Sequence, residues 1–298
     1  MTPKQLLSTF WNTQGFFTEV LAVFILVFFV LLFKMLITAF KVKGTKIILP
    51  LGFSLITFLM YVQLWASSKY LFNTPQTPLV NPIFVLLQSF LQGYKLGNGL
   101  NPSSFKPLDN GVPYLIGGQL LGFIFAISLF LVLFIPLKYY LAKINPKYQD
   151  IKKMTIFEVF HRDDKTLVGF SIKESIFLII FTVSVGFAFY IKPTEFGTTK
   201  YDLLIVSTVI IFILLFFSSY FGYFAFLIYL DWFIAVINFV ENFKTKRNLQ
   251  IVQSDFRLSF TSLFQMLITT VLTIIIPIIV GGIVIAIFAN TKGDGVNF

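Results

Sequence analysis

Six long runs of apolar residues constrain this chain more than any other sequence feature. A helix of about 20 mostly apolar residues crosses the hydrocarbon core of a membrane, and each of these runs reaches or approaches that length. Charges are almost absent from them, apart from a glutamate near the start of the first and of the fourth. We therefore predict an all-α membrane protein with six spans. The predicted spans are Phe16–Phe33, Ile47–Ala66, Val112–Leu137, Glu174–Ile191, Leu203–Leu230 and Leu258–Ala289.

Composition excludes several other classes of protein. Of the 298 residues, 57% are hydrophobic and 12% are charged, whereas soluble domains have about 45–50% and about 25%. One histidine and no cysteine exclude a zinc site of several imidazoles and a thiolate nucleophile. We expect no metal, no cofactor and no enzymatic reaction. The net charge is +10, and the basic residues that produce it lie between the apolar runs. This pattern favours contact with the lipid bilayer over binding of nucleic acid. The 40 phenylalanines are typical of an AT-rich genome and favour the cell membrane of a bacterium.

Two apolar segments are too short to add a comfortable span. One covers residues 78–91 and contains Asn81 and Pro82, and proline is favoured in the first turn of a helix. The other covers residues 228–240 and carries Asp231 and Asn238. Backbone that enters only part of a membrane needs protein or a water-filled cavity around it. We therefore predict two half-helices, one at 81–91 and a degenerate one near Asn238.

The chain divides into two similar halves. Glu19 and Glu174 open the first and fourth spans, and Gly122 and Gly282 lie in the third and sixth at nearly the same separation along the chain. The separation of Asn81 from Asn238 falls between those of the two flanking pairs. Because each half has three spans, the two copies are antiparallel, an inverted repeat. The predicted units are residues 1–137 and 174–298, joined by a polar loop at 138–173.

Several segments resemble the major intrinsic protein family, the aquaporins and glycerol facilitators. The stretch from Phe17 to Phe29 resembles the family's first span, which opens with a glutamate. Asn81-Pro82-Ile83 resembles the first Asn-Pro-Ala box, and residues 113–122 with Gln119 resemble the third span. Glu174 matches the glutamate of the fourth span, and residues 277–286 resemble the glycine-rich sixth span.

The resemblance implies roles for these residues. Asn81 and its repeat partner would cap two half-helices and offer amide donors to a passing solute at mid-membrane. Glu19 and Glu174 would brace the re-entrant segments, and Gln119 would be a further brace or a helix-packing group. Leu49 would lie near the selectivity filter. The resemblance also implies a homotetramer.

The family has a second Asn-Pro-Ala box in the second half, and this chain departs from that pattern. We assign the box to Asn238, although Phe239 stands in place of the proline and Glu241 in place of the selectivity arginine. A register that uses the family's spacing from Glu174 places the box near Phe226 instead, where no asparagine occurs. Asp231 either sits at the membrane surface or lines the cavity.

The function expected from these features is passive permeation of water or small uncharged solutes such as glycerol. One alternative is an ion- or proton-coupled transporter that uses Glu19, Glu174 and Asp231. Another is a channel fold that has lost permeation and serves as an assembly partner. Two indicators of the orientation in the membrane disagree. The distribution of basic residues places both termini outside, whereas the family places them in the cytoplasm. We adopt the family orientation as a hypothesis.

Overall fold

The computed structural model describes residues 6–7, 9–72, 78–96, 111–144, 146–160, 166–188, 200–221, 224–249 and 256–290, which are helical with short connections and contain no strand. The first half contains α1 Thr13–Ala39, α2 Thr45–Phe72, α3 Pro82–Leu96 and α4 Gly111–Ile144. A 3-10 helix at Pro146–Lys153 and α5 Ile156–Phe160 follow. The second half contains α6 Leu167–Ala188, α7 Lys200–Phe221, α8 Ile228–Leu249 and α9 Phe256–Asn290.

Six of these helices, α1, α2, α4, α6, α7 and α9, are long and apolar enough to cross a membrane. The predicted fifth span needs correction, since α7 ends at Phe221 and the separate helix α8 begins at Ile228. The third span also runs further than predicted, to Ile144. Many large apolar side chains on these helices are exposed, including Val132 at 70%. Such side chains suit contact with lipid tails.

Close packing holds the first half together, and two glycines of α4 make it possible. A Cβ on Gly122 would lie 2.2 Å from the Val20 carbonyl oxygen of α1, and one on Gly118 would lie 2.9 Å from the Phe16 carbonyl oxygen. Small residues four apart let two helix backbones approach in this way. In contrast, a Cβ on Gly282 would meet nothing within 4 Å. Gly282 is therefore no structural counterpart of Gly122.

The helices pack as two three-span units with a seam between them. In the first unit α1 packs against α2 and α4, and in the second α6 packs against α7 and α9. The long helices α2 and α7 contact each other across the seam. Helix α3 packs chiefly against α9, the last helix of the other half, and α8 packs against α9 as well. Helices α3 and α8 therefore both lie against the last helix of the bundle.

The segment between the halves differs from the predicted polar loop at 138–173. Its 3-10 helix packs on α4, and α5 packs on α8 and α1. Within residues 146–160, four apolar side chains are buried because this part folds back onto the bundle; they are Ile151, Met154, Val159 and Phe160. The loop interpretation missed this apolar face within a stretch whose charges dominate the composition.

Candidate functional site

Helix α3 begins with a strained three-residue turn. The Asn81 N–H donates to the Leu79 carbonyl at 2.6 Å, and Val80 between them has φ +62°. A positive φ is a genuine outlier for a β-branched residue, and this rare kind of γ-turn is strained. The Asn81 side chain then caps the helix, because its Oδ1 accepts from the Ile83 N–H at 3.1 Å. Pro82 follows the cap, at the first helical position, where its fixed φ suits a helix start.

Helix α8 begins with the same turn. The Leu227 N–H donates to the Ala225 carbonyl at 2.6 Å, and Phe226 between them has φ +47°. The Leu227 carbonyl then accepts from Leu230 at 3.0 Å and Asp231 at 3.3 Å, the distances that the Asn81 carbonyl makes to the corresponding two residues of α3. The two helix starts therefore correspond residue by residue, and Leu227 takes the place of Asn81.

Glu19 joins α1 to the segment that precedes α3. Its Oε1 accepts from the Leu79 N–H at 2.5 Å, and its Oε2 accepts from the Val80 N–H at 2.9 Å. Gln119 Nε2 of α4 donates to the same Oε2 at 2.9 Å. The carboxylate is 1% exposed. It therefore satisfies two buried backbone donors that a strained turn leaves without helical partners.

Gln119 continues this network toward the second half. The Tyr229 hydroxyl of α8 donates to Gln119 Oε1 at 3.3 Å. The first turn of α8 is therefore linked to the Glu19–Gln119 pair that holds the start of α3. Gln265 on α9, which is 2% exposed, follows Gln119 by the same distance along the chain as Leu227 follows Asn81. Gln265 was not among the residues predicted from the sequence. The offset that the glutamines share with the helix starts is visible only in the structure, because Leu227 carries no signal in the sequence.

The two helix starts meet inside the protein. Asn81 Nδ2 donates to the Phe226 carbonyl oxygen at 2.7 Å, which brings together the N-termini of α3 and α8. Each N-terminus carries the positive end of a helix dipole, worth about half an elementary charge. Two such ends at one point disfavour cations there. The meeting point is therefore the candidate functional site.

Side chains fill this site. Asn81 is 3% exposed, Phe226 5% and Leu227 2%, and each residue of 78–89 and 224–231 is buried. The Phe226 ring contacts Phe53 of α2 and Phe181 of α6, with centroid distances of 6.2 and 6.4 Å. Water therefore does not reach either helix start in this conformation.

The proposed pairing of Asn81 with Asn238 needs correction. Asn238 lies well beyond the start of α8, about 15 Å along the helix axis. Its Nδ2 donates to the Ile234 carbonyl at 2.7 Å and to the Phe160 carbonyl of α5 at 3.1 Å. The side chain ties α8 to the segment between the halves. The helix that contains Asn238 begins at Ile228, close to the alternative register near Phe226.

The other predicted site residues lie in three places. Glu174 of α6 is 3% exposed and accepts from Thr269 Oγ1 of α9 at 3.5 Å. Asp231 is 1% exposed in the first turn of α8, so its side chain lies in the interior of the protein. Leu49 is partly buried in the second turn of α2 and packs against the core. Among the residues that the structure describes, no three histidine, aspartate or glutamate side chains form a group that could hold a metal ion.

Comparisons with known proteins give no match that would assign this geometry to a family. No family model matches the chain, and neither the curated proteins nor the solved structures include a match to it. The interpretation of the site therefore rests on the internal symmetry and on the contacts described above.

Proposed function

We propose that this protein is a membrane channel of the aquaporin type that lets small uncharged solutes permeate passively. The observation that carries the proposal is the matched pair of helix starts at 79–85 and 225–231, which meet through Asn81 and Phe226. In this proposal α3 and α8 are re-entrant half-helices, and a solute passes between their N-termini. Converging dipole ends exclude cations from such a path, as in the channels that the sequence resembles.

The chemistry of the path favours solutes with apolar surface over water alone. At the second helix start, Leu227 occupies the position of the donor amide, and Leu230 occupies the position of the selectivity arginine. With two polar groups replaced by aliphatic ones, water has fewer hydrogen-bond partners than in a strict water channel. Glycerol and less polar diols are the solutes that fit this lining.

A second candidate, a channel fold that has lost permeation, is supported by the burial of Asn81, Phe226 and Leu227. We interpret that burial as a closed conformation of a channel, since the strained turns at Val80 and Phe226 are both retained. Strain of this kind persists where surrounding structure enforces it, often at functional sites. A coupled transporter is less well supported, because the Glu19 carboxylate is already occupied by three donors.

Stopped-flow light scattering on proteoliposomes tests the proposal. Purified protein should accelerate the re-swelling of vesicles in glycerol or propanediol relative to empty vesicles, and a pH gradient should not change the rate. Fast water flux with glycerol excluded would contradict the proposed selectivity. Fluxes equal to those of empty vesicles for each solute, together with co-purification of a fixed partner, would favour the assembly candidate.

A further inference from the structure

We propose that the Phe226 ring is the plug of the path and that the Asn81 amide positions it. This inference rests on the proposed function, because it names the side chain that decides what the channel admits. The first observation is the asymmetry of the repeat. At the residue with positive φ, the first half has Val80 and the second half has the larger Phe226.

The ring is held from both halves of the bundle. Phe53 belongs to α2 and Phe181 to α6, and the Phe226 ring lies within 6.4 Å of both ring centroids. Tilted aromatic pairs at such distances attract each other beyond the effect of their buried area. The plug therefore has a defined closed position rather than a loose one.

The backbone of the plug residue is held as well. Asn81 Nδ2 donates to the Phe226 carbonyl at 2.7 Å, while Asn81 Oδ1 caps α3 at the Ile83 N–H. One side chain therefore fixes the start of its own helix and the position of the opposite one. An amide hydrogen engaged in this bond is not offered to a solute. Asn81 is thus a positioning residue in the closed conformation.

An apolar constriction of this kind closes a path by excluding water from it. Movement of the Phe226 ring away from Phe53 is the minimal change that opens the path, and it leaves the bundle of spans intact. The size of the side chain at position 226 then sets the size of solute admitted. The aliphatic Leu227 beside it keeps the opened path apolar.

The decisive variant is Phe226→Val, because Val80 shows that a valine adopts this backbone conformation in the other half. Its matched control is Phe233→Val, the same change at another buried ring of α8, which contacts Phe160 at 5.1 Å and Phe130 at 6.3 Å. We expect Phe226→Val to raise water permeability at least about tenfold, equivalent to about 1.4 kcal/mol in the permeation barrier. The control should stay within about twofold of wild type, an equivalent of about 0.4 kcal/mol.

Two further variants keep the test decisive if Phe226→Val does not fold. Phe53→Val removes the facing ring and should raise water permeability in the same direction. Asn81→Ser keeps a capping hydroxyl but is too short to reach the Phe226 carbonyl, and it should also raise water permeability. Size-exclusion chromatography and circular dichroism identify any variant that is misfolded.

The outcomes separate this inference from the proposed function. Equal water permeability for Phe226→Val, Phe233→Val and wild type would overturn the plug, whatever solute the wild type carries. Wild type that carries no solute, with Phe226→Val open to water, would support the plug and contradict the proposed function. If Asn81→Ser had the same water permeability as wild type while Phe226→Val had a raised one, the positioning role of Asn81 would be overturned.

Discussion

Replacement of the Glu19 carboxylate is the sharpest test of how the first helix start is held. The carboxylate accepts three hydrogen bonds, from the Leu79 and Val80 N–H groups and from Gln119 Nε2. Glu19→Gln keeps the shape of the side chain but leaves a single acceptor oxygen. Glu19→Ala removes the acceptors altogether.

The expected magnitudes follow from the donors left unsatisfied. In Glu19→Gln, the best orientation keeps oxygen at the Oε2 position, where it still accepts from Val80 and Gln119. The new NH₂ group then faces the Leu79 N–H, and this buried donor loses its partner at a cost of about 1–3 kcal/mol. Glu19→Ala leaves all three donors without an acceptor, so we expect the free energy of unfolding to fall at least about twice as much.

Unfolding in mixed micelles by titration with sodium dodecyl sulfate, followed by circular dichroism, measures these free energies. Glu158→Gln is the matched control, because Glu158 is exposed and glutamine preserves its capping box with Thr155. The control should lie within about 0.5 kcal/mol of wild type. Glu19→Gln as stable as wild type, or Glu19→Ala no less stable than Glu19→Gln, would refute the bracing role.

Three further predictions concern packing, the corrected asparagine and orientation. Gly122→Ala should destabilise the fold by about 1–3 kcal/mol through overpacking, whereas Gly117→Ala, whose Cβ meets nothing within 4 Å, should be neutral or slightly stabilising in the same titration. Asn238→Leu should lower the free energy of unfolding by about 1–3 kcal/mol and leave solute flux per folded protein unchanged; altered selectivity would contradict the structural role. Because the chain has no cysteine, Lys43→Cys and Phe10→Cys provide single thiols on opposite sides. In the family orientation an impermeant maleimide labels the first and not the second in sealed cells, and the reverse pattern would place both termini outside.

Sequence reasoning located the first helix start because its residues carry their own signals. Pro82 marks a first helical position, and Asn81 is a capping residue whose side chain serves that role in the structure. The six spans were equally accessible, since long uncharged apolar runs leave few alternatives to crossing a membrane. Glu19 and Gln119 were singled out by resemblance, and the structure places them in hydrogen-bond contact at 2.9 Å.

The second helix start could not be found in this way, because no polar residue marks it. Its turn is formed by Phe226 and Leu227, which are indistinguishable from the apolar run around them in sequence. Interpolation between the offsets of the glutamate pair and the glycine pair led to Asn238, but the true offset is shorter than either. The first half has a longer stretch of chain than the second between its glutamate and its helix start. Asn238 drew the assignment because it is a polar residue in the expected region, although its side chain donates to the Ile234 and Phe160 carbonyls.

The contact of α3 with the last helix has a consequence for the order of synthesis. When the ribosome has finished α4, neither α9, the main packing partner of α3, nor the Phe226 carbonyl yet exists. Until those later segments are inserted, the Glu19 carboxylate and Gln119 are the groups already in place to hold the turn before Asn81. In the nascent first half, α3 therefore lacks its main packing partner. Loss of the carboxylate should accordingly reduce insertion yield during translation even where the finished protein, once assembled, withstands its absence.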